Sequence, residues 1–234
     1  MSAISTRVAR GLKRAMDLAG ASLALILLSP VLAWVALAVL LTQGRPILFR
    51  QVRPGLGGRP FTMVKFRTMR ATRPGEVYYL TDDDRITRLG RFLRSTSLDE
   101  LPELLNVVRG DMSLVGPRPL LMEYLEQYSA DEGRRHDVRP GITGWAVVNG
   151  RNMLQFGDRL QLDLWYVDHW SLLLDLRIML ITIEQVLRRK GVSATEDLSL
   201  GFRLPGLEPA GDPASIAAEL AAPSPTAASE DRPG

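Results

Sequence analysis

From Leu18 to Gly44 the chain carries no ionisable side chain, and about 20 apolar residues suffice for a helix to cross the hydrocarbon core of a bilayer. The run is interrupted at its middle by Ser29-Pro30. Pro30 lacks an N–H and its ring opposes the carbonyl four residues back, which predicts a kink there. The Ser29 hydroxyl can bond the carbonyl so freed. Arg7, Arg10, Lys13 and Arg14 precede the run, and Arg45, Arg50 and Arg53 follow it. Both ends therefore claim the side of the membrane on which Lys and Arg collect. A re-entrant hairpin satisfies both claims, because an arm of about 12–13 residues rises roughly 18–20 Å and cannot cross a ~30 Å core. A kinked full span is the alternative. A cleavable signal peptide fits poorly, since the run is long and lacks a small-residue cleavage site before Arg45.

Beyond the run the pattern changes. Ile47–Arg53 and Phe61–Arg67 are short β-type runs joined by Pro54-Gly55-Leu56-Gly57-Gly58-Arg59-Pro60, which predicts a hairpin. Arg85–Arg94 spaces apolar residues as a helix does, with arginines between them and Asp82-Asp83-Asp84 ahead. The acids suit a helix N-terminus better than a metal site, and the arginines suit either a solvated face or anionic headgroups. Ser97-Leu98-Asp99-Glu100 stands before Leu101, Leu104, Leu105 and Val108 and matches a Ser-x-x-Glu capping box, although Pro102 makes the helix start late or kink. Leu172–Lys190 is an apolar helix interrupted by Asp175, Arg177 and Glu184. Those charges argue against a second span and for an amphipathic helix packed on the domain or lying at the membrane interface. The pattern as a whole predicts an α+β, mainly helical chain. Residues 1–44 form the basic N-terminus and re-entrant element, 45–203 a cytosolic or interfacial domain, and 204–234 a disordered tail.

Composition adds three constraints. The 234 residues include no cysteine and two histidines, His136 and His169, which excludes a disulfide framework and disfavours structural zinc. The tail after Arg203 is rich in Pro, Ala and Ser and lacks aromatics, so it cannot offset its own ordering entropy by burial. It also carries five acids against one base, so a chain with a formal charge of +3 carries +7 on the residues ahead of it. A basic body suits anionic partners. No nucleic-acid module accompanies the bases, and nucleic acid is not an expected partner.

Several of these residues can do chemistry. A helix N-terminus at Ser97 would keep Asp99 ionised and offer backbone N–H groups to a phosphate, and the two acids would serve equally as plain caps; local spacing leaves both readings open. Arg118 stands between two prolines in Gly116-Pro117-Arg118-Pro119, and a rigidly held guanidinium suits bidentate phosphate recognition. Arg151, after Asn149-Gly150, is a further phosphate candidate. Trp145 reads as core rather than as a stacking platform.

Lys13-Arg14-x-x-Asp17, Ser29-Pro30, Lys65-Phe66-Arg67-Thr68-Met69, Ser97-Leu98-Asp99-Glu100-Leu101, Val115-Gly116-Pro117-Arg118-Pro119-Leu120 and Arg139-Pro140-Gly141-Ile142-Thr143-Gly144-Trp145 follow one another in this order. In that order the chain resembles the bacterial sugar transferase family, the small monotopic polyprenol-phosphate phosphoglycosyl transferases, from about residue 10 to about residue 202. The resemblance implies a Mg²⁺-dependent enzyme that moves a phosphosugar from a UDP-sugar to undecaprenyl phosphate and releases UMP, initiating a surface glycan. It implies that Asp99 is the nucleophile and a metal contact, that Glu100 works beside it, and that Lys65, Arg67, Arg118 and Arg151 bind substrate phosphates. It further implies contact with membrane lipids at the bacterial inner membrane, an active site facing the cytoplasm, and room for a homodimer. Val147 stands where the family usually has glutamine, which weakens any inference about sugar recognition. The alternative to an enzyme is an inactive membrane scaffold of a glycan-assembly complex.

Overall fold

The break at Ser29-Pro30 divides the apolar run into two helices, α1 (Ala3–Leu27) and α2 (Ser29–Gln43), bent by 63°. The computed structural model describes residues 3–71, 85–150 and 156–188. The carbonyl opposed by Pro30 is that of Ile26, and Ser29 Oγ donates to it at 2.8 Å. No single helix among the described residues is long and apolar enough to cross a membrane; the bent pair is, by length and composition. One face of α2 is buried, with Val35 and Val39 packed on Phe66 and Leu93. Trp34 and Leu41 on the same helix are more than 70% exposed.

The charged turn of α1 binds protein. Arg14 donates to the carbonyls of Val107 and Val108 at 2.6 and 2.9 Å, in the last turn of α4 (Glu103–Arg109), where a cation satisfies carbonyls that lack helical partners. Lys13 pairs with Asp175 at 2.7 Å and donates to the Val115 carbonyl. Asp17 accepts from Ser113 Oγ and from the Leu114 N–H. Three residues within one and a half turns thus fasten the apolar pair to three segments far along the chain.

The hairpin forms with β1 (Leu48–Pro54) antiparallel to β2 (Pro60–Phe66). Each strand is displaced by one residue from its expected bounds, away from the apolar run for β1 and toward it for β2. Gly57 and Gly58 take positive φ of 63° and 72° in the turn, a region in which a Cβ is strained. The arginine-rich helix is shorter than expected, α3 (Arg88–Ser95), and its cap is Thr87, which accepts from the Gly90 N–H at 2.9 Å. Asp82, Asp83 and Asp84 lie outside the described residues, as do Arg151 and the chain from 189 onward.

A second pair of strands went unpredicted. β3 (Ser113–Val115) and β4 (Gly141–Thr143) pair in parallel. A Cβ on Gly141 would stand 2.1 Å from the Gly116 nitrogen, so the approach of the two backbones requires glycine. After α5 (Ala130–Gly133) and α6 (Trp145–Asn149), helices α7 (Phe156–His169) and α8 (Leu172–Leu187) close the core around Val115, Tyr166 and Ile178. Trp145 packs against this cluster and stacks on Trp165 with centroids 4.8 Å apart. Asp175, which interrupts the apolar pattern of α8, is buried and accepts from Tyr166 Oη at 2.7 Å and from Trp170 Nε1 at 3.1 Å. Leu173, Leu176, Leu180 and Ile183 form the opposite, exposed apolar face of α8.

Candidate active site

The expected capping box at Ser97 does not form. Ser97 adopts a left-handed conformation, φ 56°, makes no side-chain cap, and leads into a 3-10 turn over Leu98–Glu100. Pro102 has no N–H to contribute to a helical ladder, and α4 starts only at Glu103. Asp99 and Glu100 therefore sit on a tight turn between α3 and α4 rather than in the first turn of a regular helix. A non-glycine residue at positive φ costs on the order of 1–2 kcal/mol. We expect Ser97→Gly to fold with stability at or above the parent. Ser97→Val, whose β-branch crowds this conformation, should lose about 1–3 kcal/mol together with most activity. Denaturant midpoints and turnover of the two purified variants check this pair.

The two acids are treated differently. Glu100 is held by cations: Lys65 Nζ lies 2.9 Å from Oε1, and Arg118 donates through Nη1 to Oε2 at 3.4 Å and through Nη2 to Oε1. Asp99 is 8% exposed and makes no hydrogen bond or ion pair among the described residues. Burial, and next the neighbouring Glu100, push its carboxyl up to about 6, while Lys65, Arg94 and Arg118 oppose the rise. Above that pH it is an ionised carboxylate whose oxygens no donor among the described residues has claimed.

Lys65, Asp99, Glu100 and Arg118 thus meet in one cluster. Arg67 is placed elsewhere. Its guanidinium donates to the carbonyls of Gln43, Gly44 and Arg45 at the end of α2, at 2.9 Å for Gly44 and 3.1 Å for Arg45. It closes the C-terminus of the apolar pair in the manner of a cationic cap.

Two further residues belong to the cluster and drew no attention in the sequence. Arg94, near the end of α3, is close enough to lower the Asp99 carboxyl and is steadied through Nε by Thr68 Oγ1 at 3.1 Å. Glu103 is 2% exposed and lies 3.2 Å from Lys65 Nζ. Arg94 was one of several arginines on a helix face that read as solvated or as facing anionic headgroups, and Glu103 stood among leucines. The signal that could have found Glu103 is its position one helical turn beyond Asp99, on the face that Leu104 and Val107 bury.

Arg118 is positioned from below. Arg135 donates through Nη2 to the Arg118 carbonyl at 2.7 Å and to Asp163 Oδ2 at 2.6 Å. Arg135 and Asp163 are 1% and 2% exposed, so a buried ion pair carries the loop that presents the phosphate candidate.

No group of three or more His, Cys, Asp or Glu among the described residues could hold a metal by itself. Mg²⁺ commonly takes one or two carboxylates and completes its octahedron with substrate phosphates and water. The unclaimed oxygens of Asp99 fit that smaller requirement.

Residues 8–189 match the family model described as bacterial sugar transferase. The chain is 49% identical over 188 residues to the uncharacterized sugar transferase EpsL of Bacillus subtilis, covering 80% of this chain and 93% of that protein. It is 45% identical to the UDP-glucose:undecaprenyl-phosphate glucose-1-phosphate transferases of Escherichia coli and Caulobacter vibrioides, over 75% of this chain in each case. Those matches span 40% and 69% of the respective relatives. The chain is a transferase and belongs to the bacterial sugar transferase family.

Proposed function

We propose that this protein transfers a phosphosugar from a UDP-sugar to undecaprenyl phosphate, yielding undecaprenyl-diphosphate-sugar and UMP, through a covalent intermediate on Asp99. The observation that carries the reading is the division of labour in the acid pair: Glu100 is clamped by Lys65 and Arg118 while the Asp99 carboxylate is left free beside the same cations. An Asp99 oxygen attacks the sugar-bearing phosphorus, the bond from that phosphorus to the bridging oxygen breaks, and UMP leaves with the electron pair. A phosphate oxygen of the lipid then attacks the same phosphorus, and the bond to Asp99 breaks to restore the carboxylate. Two displacements let a soluble donor and a lipid acceptor use one site in turn.

An anionic nucleophile approaches a diphosphate only where cations neutralise the charge between them. Lys65, Arg94 and Arg118 supply three. Mg²⁺ bound at Asp99 and the donor phosphates would add Lewis-acid neutralisation of the leaving group. Arg151 stands as a further phosphate contact by motif alone, and Arg67 serves the fold of the α2 terminus.

The surface supports a membrane setting. α2 is apolar on all sides, as a helix in lipid is, and Leu23, Ile26, Leu27, Trp34 and Leu41 of the bent pair are all more than half exposed. We place this pair in the inner membrane as a re-entrant hairpin, with both ends and the acid pair on the cytoplasmic side. The apolar face of α8 then lies at the interface among lipid headgroups.

The test is incubation of the detergent-solubilised protein with undecaprenyl phosphate and a panel of UDP-sugars. UMP release from at least one donor is expected. UDP in place of UMP would mean that the sugar moves without its phosphate, and no nucleotide from any donor would favour a scaffold.

A further inference from the structure

Glu103 is a buried carboxylate that the transfer chemistry, as proposed above, does not use. Its Oε1 lies 3.2 Å from Lys65 Nζ but receives no aligned hydrogen bond. A buried charge held this loosely costs stability, and an amide or an aliphatic side chain would occupy the site more cheaply. One turn further along α4, Asn106 shows what a satisfied polar group looks like here: it accepts from the Val64 N–H at 3.1 Å and donates to the Thr62 carbonyl at 2.7 Å.

The partner explains the expense. Lys65 Nζ stands between Glu100, at 2.9 Å, and Glu103, at 3.2 Å. Lysine is a point charge on a flexible four-carbon stem, unlike an arginine held between two prolines. Glu100 alone would let the ammonium follow the movements of that side chain. We propose that Glu103 is a positioning residue: it gives Lys65 a further anchor, buried in the core, so that the ammonium stays beside Asp99 when Glu100 shifts its contacts during turnover. The inference rests on the transferase reading given above.

The charges facing Glu103 are Lys65 from β2, Glu100 from the 3-10 turn and Arg118 from the loop after β3. Burial pushes its carboxyl up to about 7, with Lys65 pulling it back, Glu100 raising it and Arg118 lowering it. Above that pH Glu103 is charged and the anchor is engaged. Below it the carboxyl is neutral and the parent should approach a Glu103→Gln variant.

The experiment uses Glu103→Gln, Lys65→Met and the double variant in the full chain, read by UMP release and by acylation of Lys65 with an N-hydroxysuccinimide ester followed by peptide mass spectrometry. Glu103→Gln is expected to keep or raise the denaturant midpoint, to lower kcat about tenfold above pH 7, and to lose less below it. It should cause less than a twofold further loss in the Lys65→Met background, by the logic of a double-mutant cycle. Acylation of Lys65 should accelerate severalfold, because its anchor on Glu103 is gone. Equal losses in both backgrounds, or a pH-independent loss, would mean that Glu103 only supports the fold and would overturn the proposal, as would an unchanged acylation rate. Acylation needs no substrate: if the parent released no UMP, the transferase reading would fail while the anchoring of Lys65 would still be decided.

Discussion

Asp99→Asn is expected to reduce UMP release to background and to prevent formation of a phosphosugar adduct on the protein. Asparagine keeps the volume of the side chain but removes the anionic oxygen that would attack phosphorus. With a UDP-sugar accepted by the parent and no lipid acceptor, the intact mass of the parent should rise by one phosphosugar, and that of the variant should not. The stability of the same variant should move the opposite way. Asp99 is buried without a hydrogen bond or ion pair among the described residues, and burial holds its carboxyl up at about 6 against a usual value of 3.8. A carboxyl raised in this way takes up a proton on folding between those two values. The charged form therefore destabilises the fold above them, and the stability returns as pH falls through about 6. Removing the charge should thus stabilise the folded protein at neutral pH by on the order of 1 kcal/mol and flatten its stability profile between pH 4 and 6. Gain of stability with loss of turnover marks a residue kept for reaction at the expense of the fold. An Asp99→Asn protein that retains full turnover would remove Asp99 as the nucleophile.

How much of this was legible before the coordinates depends on how local each cause is. The bend was legible to the residue, because Pro30 dictates which carbonyl is orphaned and Ser29 stands within reach of it. The hairpin was legible apart from a shift of one residue, because strand alternation and a glycine turn are short-range signals. The paired strands β3 and β4 were not. Each has three residues, too few for alternation to register, and Gly116 and Gly141 are there because two backbones approach closely. Ser97 shows a local signal overridden: the Ser-x-x-Glu spacing is present, but a left-handed backbone and Pro102 delay the helix. The acid pair could be found by motif, and Arg118 by its flanking prolines. Their division of roles could not be found so, because it depends on Lys65 arriving from β2. Arg67 carries the same charge as Lys65 two residues away, but it stands just past the end of β2, where its guanidinium caps the end of α2 instead. Glu103 was hidden for the converse reason, since a glutamate in a helix is usually solvated and only tertiary packing buries this one.

Asp163→Asn should have the largest effect of any substitution outside the acid pair, because it leaves Arg135 charged, 1% exposed and without its counter-ion. Removing one partner of a buried pair costs about 3–5 kcal/mol, to be read as a fall in the denaturant midpoint of the solubilised protein. The same guanidinium donates to the Arg118 carbonyl and, at 3.3 Å, to Tyr128 Oη, so its displacement also loosens the loop that carries Arg118. Stability and positioning can be separated. A double variant, Arg135→Met with Asp163→Leu, replaces the pair by apolar side chains of similar size, which in buried pairs is often neutral or stabilising. It should recover most of the lost midpoint. It cannot restore the donor to the Arg118 carbonyl, and turnover should stay at least tenfold below the parent. Recovery of turnover along with stability would show that the pair supports the fold alone and that its bond to Arg118 carries no catalytic weight. Recovery of the midpoint without turnover would place the second function of the ion pair in that one hydrogen bond, which fixes the backbone between Pro117 and Pro119 so that Arg118 reaches Glu100.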